Sequence, residues 1–411
     1  MNDTVYSVLQ KRGFIEQVSD EEGLNKALEQ KIVCYAGFDP TADSLHVGHL
    51  LPIMALVQMQ KHGHRPIVLL GGGTAMIGDP SGKTETRKIL SREEVIQNTE
   101  SIRQQFIRYL DFETQDGALL LNNATWLEPL TYITFLRDIG RHFSVNKMLA
   151  AESYRSRLAT GLNFIEFNYM LLQAYDFLHL YQTQKCILQL GGNDQWGNIL
   201  AGIDLIRRMH GGTAYGLTLP LITTASGTKM GKTEKGAIWL DPKKTSPYDY
   251  YQFWINTDDR DVKRFLLLFT LLSIDEIEKL MAIAEQEGWN AVKRVLAFEA
   301  TALTHGYTAA QHAQESARSV FYGDGFYLDS LPSTIFSFDK IRGGIPAFIL
   351  FADTGLCASR SDARRLIDEG GGYVNNQRLK SFDEKINTSH IKDGVILLRA
   401  GKKKYHRVII K

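Results

Sequence analysis

The sequence contains few cysteines and no long apolar run. Its three cysteines, Cys34, Cys186 and Cys357, stand far apart and form none of the short spacings of metal or redox sites. We therefore expect no metal site and a reducing, cytoplasmic location. The most apolar stretch, FLLLFTLL at 265–272, is much shorter than the roughly 20 residues that a membrane crossing requires. The first residues show no basic segment followed by an apolar one, so we expect neither a membrane span nor a signal peptide.

The sequence also has no complete phosphate-loop or dinucleotide motif, although three glycine-rich stretches come close to one. In TASGTKMGKT, Ser226 stands where a phosphate loop requires its first glycine, and in MIGDPSGKT that position is Ile77. In GGGTAM, Met76 replaces the third glycine of a dinucleotide fingerprint. Because each stretch lacks a glycine that its motif requires, the sequence does not predict a kinase or an ATPase.

Charge is balanced over the whole chain but not along it. The net charge of the 411 residues is +1, yet residues 341–411 carry a net +7 and the remainder a net −6. A length of 411 residues predicts two or three domains at about 150 residues each. A compact basic segment at the C-terminal end indicates contact with a polyanion there.

Short apolar strands alternate with helical patterns in the first half of the chain. Strands are predicted at 31–38, 65–73, 117–123, 185–192 and 215–222. Helices follow the first, second and fourth of them, and the segment 127–182 is mostly helical. This alternation predicts an open parallel sheet with helices on both faces. Residues 247–320 have only helical patterns, 321–344 have no period and are predicted to be a linker, and the last 67 residues form a small basic α/β unit.

The first candidate site is the stretch DPTADSLHVGHL at 39–50. His46 and His49 are three residues apart at a predicted helix start, and Gly48 leaves the backbone open to a ligand. Free N–H groups at a helix start favour anions, and the ends of parallel strands are common ligand sites. A capped helix with two hydrogen-bonded histidines explains the same pattern, and two histidines alone make a poor zinc site.

Three further stretches carry polar residues where a ligand could bind. The loop TASGTKMGKT at 224–233 is cationic and suits a leaving pyrophosphate, although a solvated surface loop would look similar. In FNYMLLQAYDF, Tyr169, Gln173 and Asp176 share one helix face, which is either a ligand surface or an outer polar stripe. In LQLGGNDQWGN, Asp194 and Gln195 open a helix after a strand, as a ligand site or a tight turn would.

The order and spacing of these stretches resemble the class I aminoacyl-tRNA synthetases. HVGH and KMGKT look like the two signature sequences of that class. YAGFDPTADSLHVGH, GDPSGK, FNYMLLQAYDF, GGNDQWGN and DPKKTSPYDYYQFWIN together look like the bacterial tyrosyl-tRNA synthetase family. SRSDARRLIDEGGGYVNNQRL at 359–379 resembles the S-four-type RNA-binding domain at the C-terminus of that family. The similarity runs nearly from end to end.

The resemblance implies both a fold and a division into domains. It implies a Rossmann-like α/β catalytic domain over 1–246 with a connecting insert near 128–182, and a helical domain over 247–320. A linker over 321–344 and an RNA-binding domain over 345–411 would follow. The insert near 128–165 would be where two subunits of a homodimer meet.

The resemblance also implies a role for each motif residue. Tyr35 and Asp176 would hold the phenolic hydroxyl of tyrosine, and Gln195 would lie by its carboxylate. The ammonium of tyrosine would be bound by Asp79, Tyr169 and Gln173, with Asn123 nearby. ATP would be contacted by Asp39, Gly48, His49, Gly192, Asp194 and Lys232. The groups that assist catalysis at the phosphates would be Thr41, His46, His49, Lys83, Arg87, Lys229, Lys232 and Thr233. The RNA contacts would come from Arg360, Arg364, Arg365, Lys380, Lys402, Lys403 and Lys404.

The implied reaction is the ligation of tyrosine to tRNA(Tyr) in two steps. Tyrosine attacks the α-phosphate of ATP, which carries Mg²⁺, and the tyrosyl group then passes to the terminal ribose of the tRNA. Because the substrate carboxylate is already ionised, the protein needs no nucleophile and must instead align reactants and bind developing charge. Two rival hypotheses are an RNA-binding regulator that has lost catalysis, and another nucleotidyl-transferring enzyme of the same superfamily that acts on a small acid.

Overall fold

The computed structural model describes residues 4–81, 90–158, 161–228, 230–233, 236–322, 331–392, 394–401 and 404–411. Their contacts form two compact units, Met1–Lys244 with Asn256–Thr304, and Thr245–Ile255 with His305–Lys411. The helices in chain order are α1 (Val5–Arg12), α2 (Glu21–Ala27), α3 (Leu50–Lys61), α4 (Arg92–Phe106), α5 (Ala124–Leu127), α6 (Tyr132–Asp138), α7 (Val145–Ala150), α8 (Glu152–Leu158), α9 (Phe164–Gln184), α10 (Trp196–His210), α11 (Pro247–Ile255), α12 (Asp259–Phe269), α13 (Ile274–Glu287), α14 (Trp289–His305), α15 (Tyr307–Tyr322), α16 (Phe338–Arg342), α17 (Ala347–Asp353) and α18 (Arg360–Asp368). The strands are β1 (Gln17–Val18), β2 (Val33–Phe38), β3 (Arg65–Leu70), β4 (Leu119–Asn122), β5 (Cys186–Gly192), β6 (Tyr215–Leu219), β7 (Lys232–Thr233), β8 (Gly236–Ala237), β9 (Ser333–Phe336), β10 (Ile345–Pro346), β11 (Gly372–Val374), β12 (Gln377–Arg378), β13 (Lys385–Ile386), β14 (Val395–Ala400) and β15 (Lys404–Ile410).

The first unit is built on a six-stranded sheet in the order β1-β6-β5-β2-β3-β4. The pairs β6–β5, β5–β2, β2–β3 and β3–β4 are parallel, and only the short edge strand β1 is antiparallel. The apolar run of β3 is buried from Pro66 to Leu70, as expected of a parallel strand covered on both faces. The predicted open parallel sheet is confirmed. Because successive strands are added on opposite sides of β2, the strand order reverses between β2 and β5, which is where such sheets bind ligands.

Two helices of this unit are fixed by clear local signals. Helix α3 is apolar on most of its surface and is buried accordingly, with Ile53 and Leu56 fully enclosed. Helix α9 starts at a capping box between Asn163 and Glu166 and ends where Lys185 adopts a left-handed conformation. This long helix packs on α10 and carries its polar residues along the face of the sheet where the strand order reverses.

The second unit contains a five-stranded sheet in the order β12-β11-β14-β15-β9. Its strands are antiparallel except for β9, which runs parallel to β15. A small pair, β10 with β13, adjoins helices α16 to α18 around a core that includes Phe351, Ile367 and Leu398. The basic C-terminal segment is therefore a folded α/β body, as the sequence indicates.

The two compact units divide the chain differently from the predicted domains. Helix α12 buries Val262, Phe265 and Leu266 and packs on α1 and α3, so residues 256–304 join the first unit. Helix α11 instead packs on α15 in the second unit. Part of the predicted linker is ordered structure, because β9 pairs with β15 and places Phe336 in the core of the second unit.

Candidate functional site

A cleft of about 1300 Å³ opens in the first unit at the carboxyl ends of β2 and β5. Many of the residues that the sequence selects line this cleft: Tyr35, Asp39, Thr41, His46, Gly48, His49, Asp79, Asn123, Tyr169, Gln173, Asp176, Gly192, Asp194 and Gln195. Residues that are more than 150 positions apart in the sequence therefore converge on one cavity. Within the described parts of the chain, no group of three or more His, Cys, Asp and Glu side chains has the arrangement of a metal site.

The histidine stretch forms a short 3₁₀ turn, Val47–His49, directly before α3. The Nδ1 atom of His46 accepts a hydrogen bond from the Gly48 amide at 3.0 Å, and Nδ1 of His49 accepts one from the His46 amide at 3.1 Å. The two rings lie 4.0 Å apart between centroids. The capping hydrogen bonds of the first interpretation are present, and both histidines also line the cleft, where anion binding stays a prediction.

The hydrogen bonds determine the protonation of these histidines. An Nδ1 atom that accepts a hydrogen bond carries no proton, so in each ring we assign the proton to Nε2. Burial, together with the nearby His46 ring, lowers the pKa of His49 to about 3. At neutral pH His49 is therefore uncharged and offers an N–H donor, not a positive charge, to an anion.

The cationic loop approaches the histidine turn through its glycine. Met230 N donates to Ile222 O at 2.9 Å, which closes the loop, and Ile238 N donates to Gly231 O at 3.0 Å. The next chain segment runs beside the histidine turn, since Val47 N donates to Ile238 O at 2.9 Å. A Cβ atom at Gly231 would lie 3.2 Å from the Gly48 amide nitrogen, and Gly231 has φ +81°. The backbone of the cationic loop is thus in contact with the phosphate-binding candidate at 46–49.

Several predicted cations fall outside the described part of the structure. Lys83, Arg87 and Lys229 are not among the described residues, and neither are Lys402 and Lys403 in the second unit. The backbone of Lys232 and Thr233 forms β7, which pairs with β8, but the description does not extend to their side chains. Their assignment remains a prediction.

At one end of the cleft, an aspartate is buried among hydrogen-bond donors. Asp176 is 2% exposed and accepts from Asn123 Nδ2 at 2.9 Å and from Trp126 Nε1 at 2.7 Å. Burial raises its pKa to about 7, and these two donors oppose the shift. Tyr35 is 1% exposed, and its hydroxyl has no hydrogen-bond partner among the described residues. The cleft therefore contains a buried hydroxyl and a buried carboxyl group that can both hydrogen-bond to a ligand.

A second buried aspartate lies in another polar network. Asp79 accepts from Ser81 N at 2.9 Å and from Gln195 Nε2 at 2.7 Å. Asn198 Nδ2 donates to Gln173 Oε1 and to Gln195 Oε1, at 3.0 Å in each case. Burial raises the pKa of Asp79 to about 6, the charge of Asp39 adds to the rise, and the hydrogen bonds from Ser81 and Gln195 oppose it. A desolvated carboxylate of this kind is suited to a cationic ligand group.

Asp39 connects β2 to helix α9 and to the end of β3. Its carboxylate accepts from Tyr169 Oη at 2.9 Å and from Thr74 Oγ1 at 2.7 Å. Tyr169 is thus already held by a carboxylate in the cleft. The remaining predicted ATP contacts also lie there, with Gly192 at the end of β5 and Asp194 in the turn that precedes α10.

Sequence reasoning missed four polar residues of these networks: Thr74, Ser81, Trp126 and Asn198. Thr74, Ser81 and Asn198 lie in stretches already quoted for other reasons, GGGTAM, GDPSGK and GGNDQWGN. The available signal was their position after a strand end or in the first turn of the following helix. Trp126 gave no such signal, because a tryptophan in a short helix predicts packing, whereas here its indole N–H donates to Asp176.

The predicted RNA-contacting residues of the second unit differ in their surroundings. Arg360 begins α18 and is exposed, and Lys380 and Lys404 are exposed as well. The Arg364 guanidinium stacks 4.2 Å from the centre of the Phe348 ring, and Arg365 pairs with Asp362 at 3.2 Å. Arg360, Lys380 and Lys404 are therefore better placed for phosphate contacts than Arg364, part of whose surface lies against an aromatic ring.

Comparison with protein families gives two matches that together span most of the chain. Residues 26–322 match the family of tRNA synthetases class I (W and Y). Residues 337–408 match the tyrosine–tRNA ligase SYY-like C-terminal domain.

Individual proteins with similar sequences and structures agree with these matches. A tyrosine–tRNA ligase of Syntrophus aciditrophicus is 56% identical over 419 aligned positions, covering 98% of this chain and 97% of that protein. Another, from Desulfatibacillum aliphaticivorans, is 55% identical and covers 100% of this chain and 99% of that protein. The crystal structure of a C-terminally truncated mitochondrial tyrosyl-tRNA synthetase from Aspergillus nidulans has a TM-score of 0.71 and 31% identity, covering 78% of this chain and 95% of that one.

Proposed function

This chain belongs to the family of class I tRNA synthetases for tryptophan and tyrosine, and we propose that it is a tyrosine–tRNA ligase. It activates L-tyrosine with ATP and transfers the tyrosyl group to tRNA(Tyr). Mg²⁺ enters with ATP as part of the substrate. The near full-length relatives that are named for tyrosine, rather than tryptophan, support this choice.

The observation that carries the proposal is the pair of buried hydrogen-bonding groups at Tyr35 and Asp176. Asp176 is held by Asn123 and Trp126, and the Tyr35 hydroxyl has no partner among the described residues. A phenolic hydroxyl can donate to the carboxylate and accept from the Tyr35 hydroxyl. An indole ring has one N–H donor and no acceptor, so it would satisfy only one of the two groups. Asp79, in the same cleft, would bind the ammonium.

The first step joins the tyrosine carboxylate to the α-phosphorus of ATP. A carboxylate oxygen forms the new P–O bond, the bond between the α-phosphorus and the bridging oxygen breaks, and pyrophosphate leaves with that oxygen. The neutral histidines of the 46–49 turn donate N–H groups to phosphate oxygens, and Lys229 and Lys232 bind the charge that develops on pyrophosphate. Interactions that form mainly in the transition state raise turnover and not substrate affinity.

The second step transfers the tyrosyl group to RNA. A hydroxyl of the terminal ribose attacks the tyrosyl carbonyl carbon, the mixed anhydride bond breaks, and AMP leaves. The basic second unit binds the tRNA through phosphate contacts from its exposed lysines and arginines. Its family match to the C-terminal domain of tyrosine–tRNA ligases supports this role.

The active molecule is a symmetric homodimer that forms through the insert between β4 and β5. Six large apolar side chains on this insert are exposed in the single chain: Tyr132, Ile133, Val145, Leu158, Phe164 and Ile165. Such a concentration of exposed apolar residues is typical of an interface. Sedimentation of the purified chain would test the assembly, because Ile133→Asp and Phe164→Asp should yield monomers.

We place the enzyme in the cytoplasm, where its ATP and tRNA substrates are found. Cys34 and Cys186 are buried free thiols, which suits a reducing compartment.

Pyrophosphate exchange into ATP tests the proposed specificity directly. With purified chain, labelled pyrophosphate and Mg-ATP, exchange should require L-tyrosine and should be far slower with L-phenylalanine or L-tryptophan. Exchange that depends on tryptophan would overturn the assignment within the family, and no exchange with any amino acid would support a regulator without catalysis.

A further inference from the structure

Two side chains of helix α12 form hydrogen bonds with backbone atoms at the start of the cationic loop. The Asp261 carboxylate accepts a hydrogen bond from Ala225 N at 2.7 Å, and Arg264 donates through Nη2 to Thr223 O. Arg264 and Asp261 are themselves paired at 2.8 Å. The pair thus contacts an N–H group and a carbonyl group that lie two residues apart in the loop, on either side of Thr224.

The geometry of this contact is fixed by burial and by a helix start. Asp261 is 4% exposed and lies in the first turn of α12, where the helix dipole favours a negative charge. Arg264 is partly exposed and follows one turn later, which sets its spacing from Asp261. Because both contacts are made to the backbone, they constrain the path of the loop whatever side chains it carries.

Helix α12 also packs on the helix that follows the histidine turn. Its apolar face, which includes Val262 and Leu266, is buried, and the helix packs on α3, the helix that begins directly after His49. The far end of α12 is held by Arg12, whose guanidinium donates to Leu267 O at 2.8 Å and to Thr270 O at 3.3 Å. One helix therefore hydrogen-bonds to the backbone at 223–225 and packs on the helix that follows the histidine turn.

We propose that Asp261 and Arg264 are positioning residues that hold the cationic loop, together with Thr223 directly before it, in register with the histidine turn. The inference rests on the proposed function, since its effect is on the step in which pyrophosphate leaves. Lys229 lies four residues after Ala225 in the sequence. Gly231, two residues further on, approaches Gly48. Misplacement of a reacting or binding group by about 1 Å can cost a hundredfold in rate, so the two contacts matter even though neither side chain touches substrate.

The test measures single-turnover formation of tyrosyl-adenylate in the full-length chain. For Asp261→Ala and for Arg264→Met we expect the rate constant at saturating ATP to fall about ten- to a hundredfold. The dissociation constant of tyrosine should change less than twofold, because the tyrosine pocket is not touched, and this constant also shows that each variant is folded. Arg264→Lys, which keeps a donor and a positive charge, should recover part of the rate.

A matched control comes from the same helix. Lys263 pairs with Glu278 on α13 at 2.9 Å, and it forms no hydrogen bond or ion pair with the described residues of the loop. Lys263→Met removes an ion pair of α12 but should leave the adenylate rate unchanged. A loss equal to that of Arg264→Met would mean that any disturbance of α12 has this effect, and it would overturn the proposal.

A double variant separates positioning from a general structural role. If Asp261 acts through the loop lysines, Asp261→Ala should cost less than threefold when it is added to Lys232→Ala. Independent effects would instead multiply and would contradict the proposal. If the wild-type chain forms tyrosyl-adenylate and Asp261→Ala forms it as fast, only the positioning role fails. If the wild-type chain forms no tyrosyl-adenylate, the proposed function itself is overturned.

Discussion

At the scale of single residues, the cleft combines two carboxyl groups whose burial makes them costly to ionise. The pKa of Asp176 is raised to about 7 and that of Asp79 to about 6, in each case mainly by burial. Perturbed carboxyl groups in a cleft are characteristic of functional sites. A ligand that hydrogen-bonds to or pairs with either group would offset the cost of its burial, as the cation and the hydroxyl group of tyrosine are proposed to do.

The first prediction concerns pH and Asp79. In the proposed site only the ionised carboxylate would pair with the ammonium of tyrosine, and the raised pKa means that protonation would compete below about pH 6. The association constant for tyrosine should therefore fall as the pH drops below about 6, by up to tenfold per unit. Equilibrium dialysis from pH 5 to 8 measures this.

A ligand without the ammonium provides the control for that titration. 3-(4-Hydroxyphenyl)propionate keeps the phenol and the carboxylate but cannot pair with Asp79. Its weaker binding should lack the acid-side fall near pH 6. An identical pH profile for both ligands would show that some other group titrates.

The second prediction concerns selection of tyrosine over phenylalanine by Asp176. A site built to hydrogen-bond a hydroxyl rejects the analogue without it by about 10⁴–10⁵, for which tyrosyl-tRNA synthetases are themselves the established example. Asp176→Ala should reduce this ratio, measured as kcat/KM in pyrophosphate exchange, by about a hundredfold or more, chiefly through loss of tyrosine activity. Equal losses for both amino acids would contradict the role.

Tyr35→Phe is the matched comparison for Asp176→Ala. Its hydroxyl has no hydrogen-bond partner among the described residues, so its removal strands no neighbour. We expect a smaller loss for tyrosine, about five- to tenfold for one neutral hydrogen bond, and no loss for phenylalanine. Removal of Asp176 instead leaves the donors of Asn123 and Trp126 unpaired, so that variant should also unfold at a lower temperature.

At the scale of elements, the cationic loop and the histidine turn approach each other closely. Gly231 has a positive φ, and a Cβ there would lie 3.2 Å from the Gly48 nitrogen. Gly231→Ala should push the cationic loop from the histidine turn and slow adenylate formation by tenfold or more, with tyrosine affinity unchanged. Stopped-flow measurement of adenylate formation gives both quantities.

The same loop offers a control for backbone strain. Gly227 has φ +82°, almost the angle of Gly231, but a Cβ there would meet nothing within 4 Å. Gly227→Ala therefore introduces similar strain without the steric contact, and it should slow the reaction much less. Equal effects of the two substitutions would attribute the loss to strain and not to the approach of the loops.

Elements whose sequence carries its own signal could be predicted. The strands β2, β3 and β5 are apolar runs followed by glycine or polar residues, and the histidine turn is the next regular element after β2. The role of α12 could not be predicted, because Asp261 and Arg264 look like an ordinary acid–base pair on a helix surface. They contact the backbone of a loop about 40 residues earlier in the chain. Because backbone atoms are the same in every residue, the sequence of that loop does not predict these contacts.

At the scale of the whole molecule, tertiary packing groups the helices and strands differently from the domains that sequence composition predicts. The helices over 247–320 look uniform in sequence, yet α12 packs in the first unit and α11 in the second. The strand β9 has only four residues, too few to show a period, and its place is set by pairing with β15. The two compact units therefore have different boundaries from those read from composition.

The last prediction uses these units to separate the two steps of the reaction. A chain that ends after residue 322 keeps all residues proposed to bind tyrosine and ATP but lacks β9 to β15, and so avoids leaving β9 without its partner. It should retain tyrosine-dependent pyrophosphate exchange, and its rate of tRNA charging should fall about a hundredfold or more, because the exposed cations proposed to contact phosphates are gone.

In the full-length chain, Arg360→Glu combined with Lys380→Glu should also weaken tRNA charging and should leave pyrophosphate exchange unaltered. If the truncated chain lost exchange as well, the second unit would be needed for the fold of the first, whereas full charging by the double variant would remove these two residues from the RNA surface.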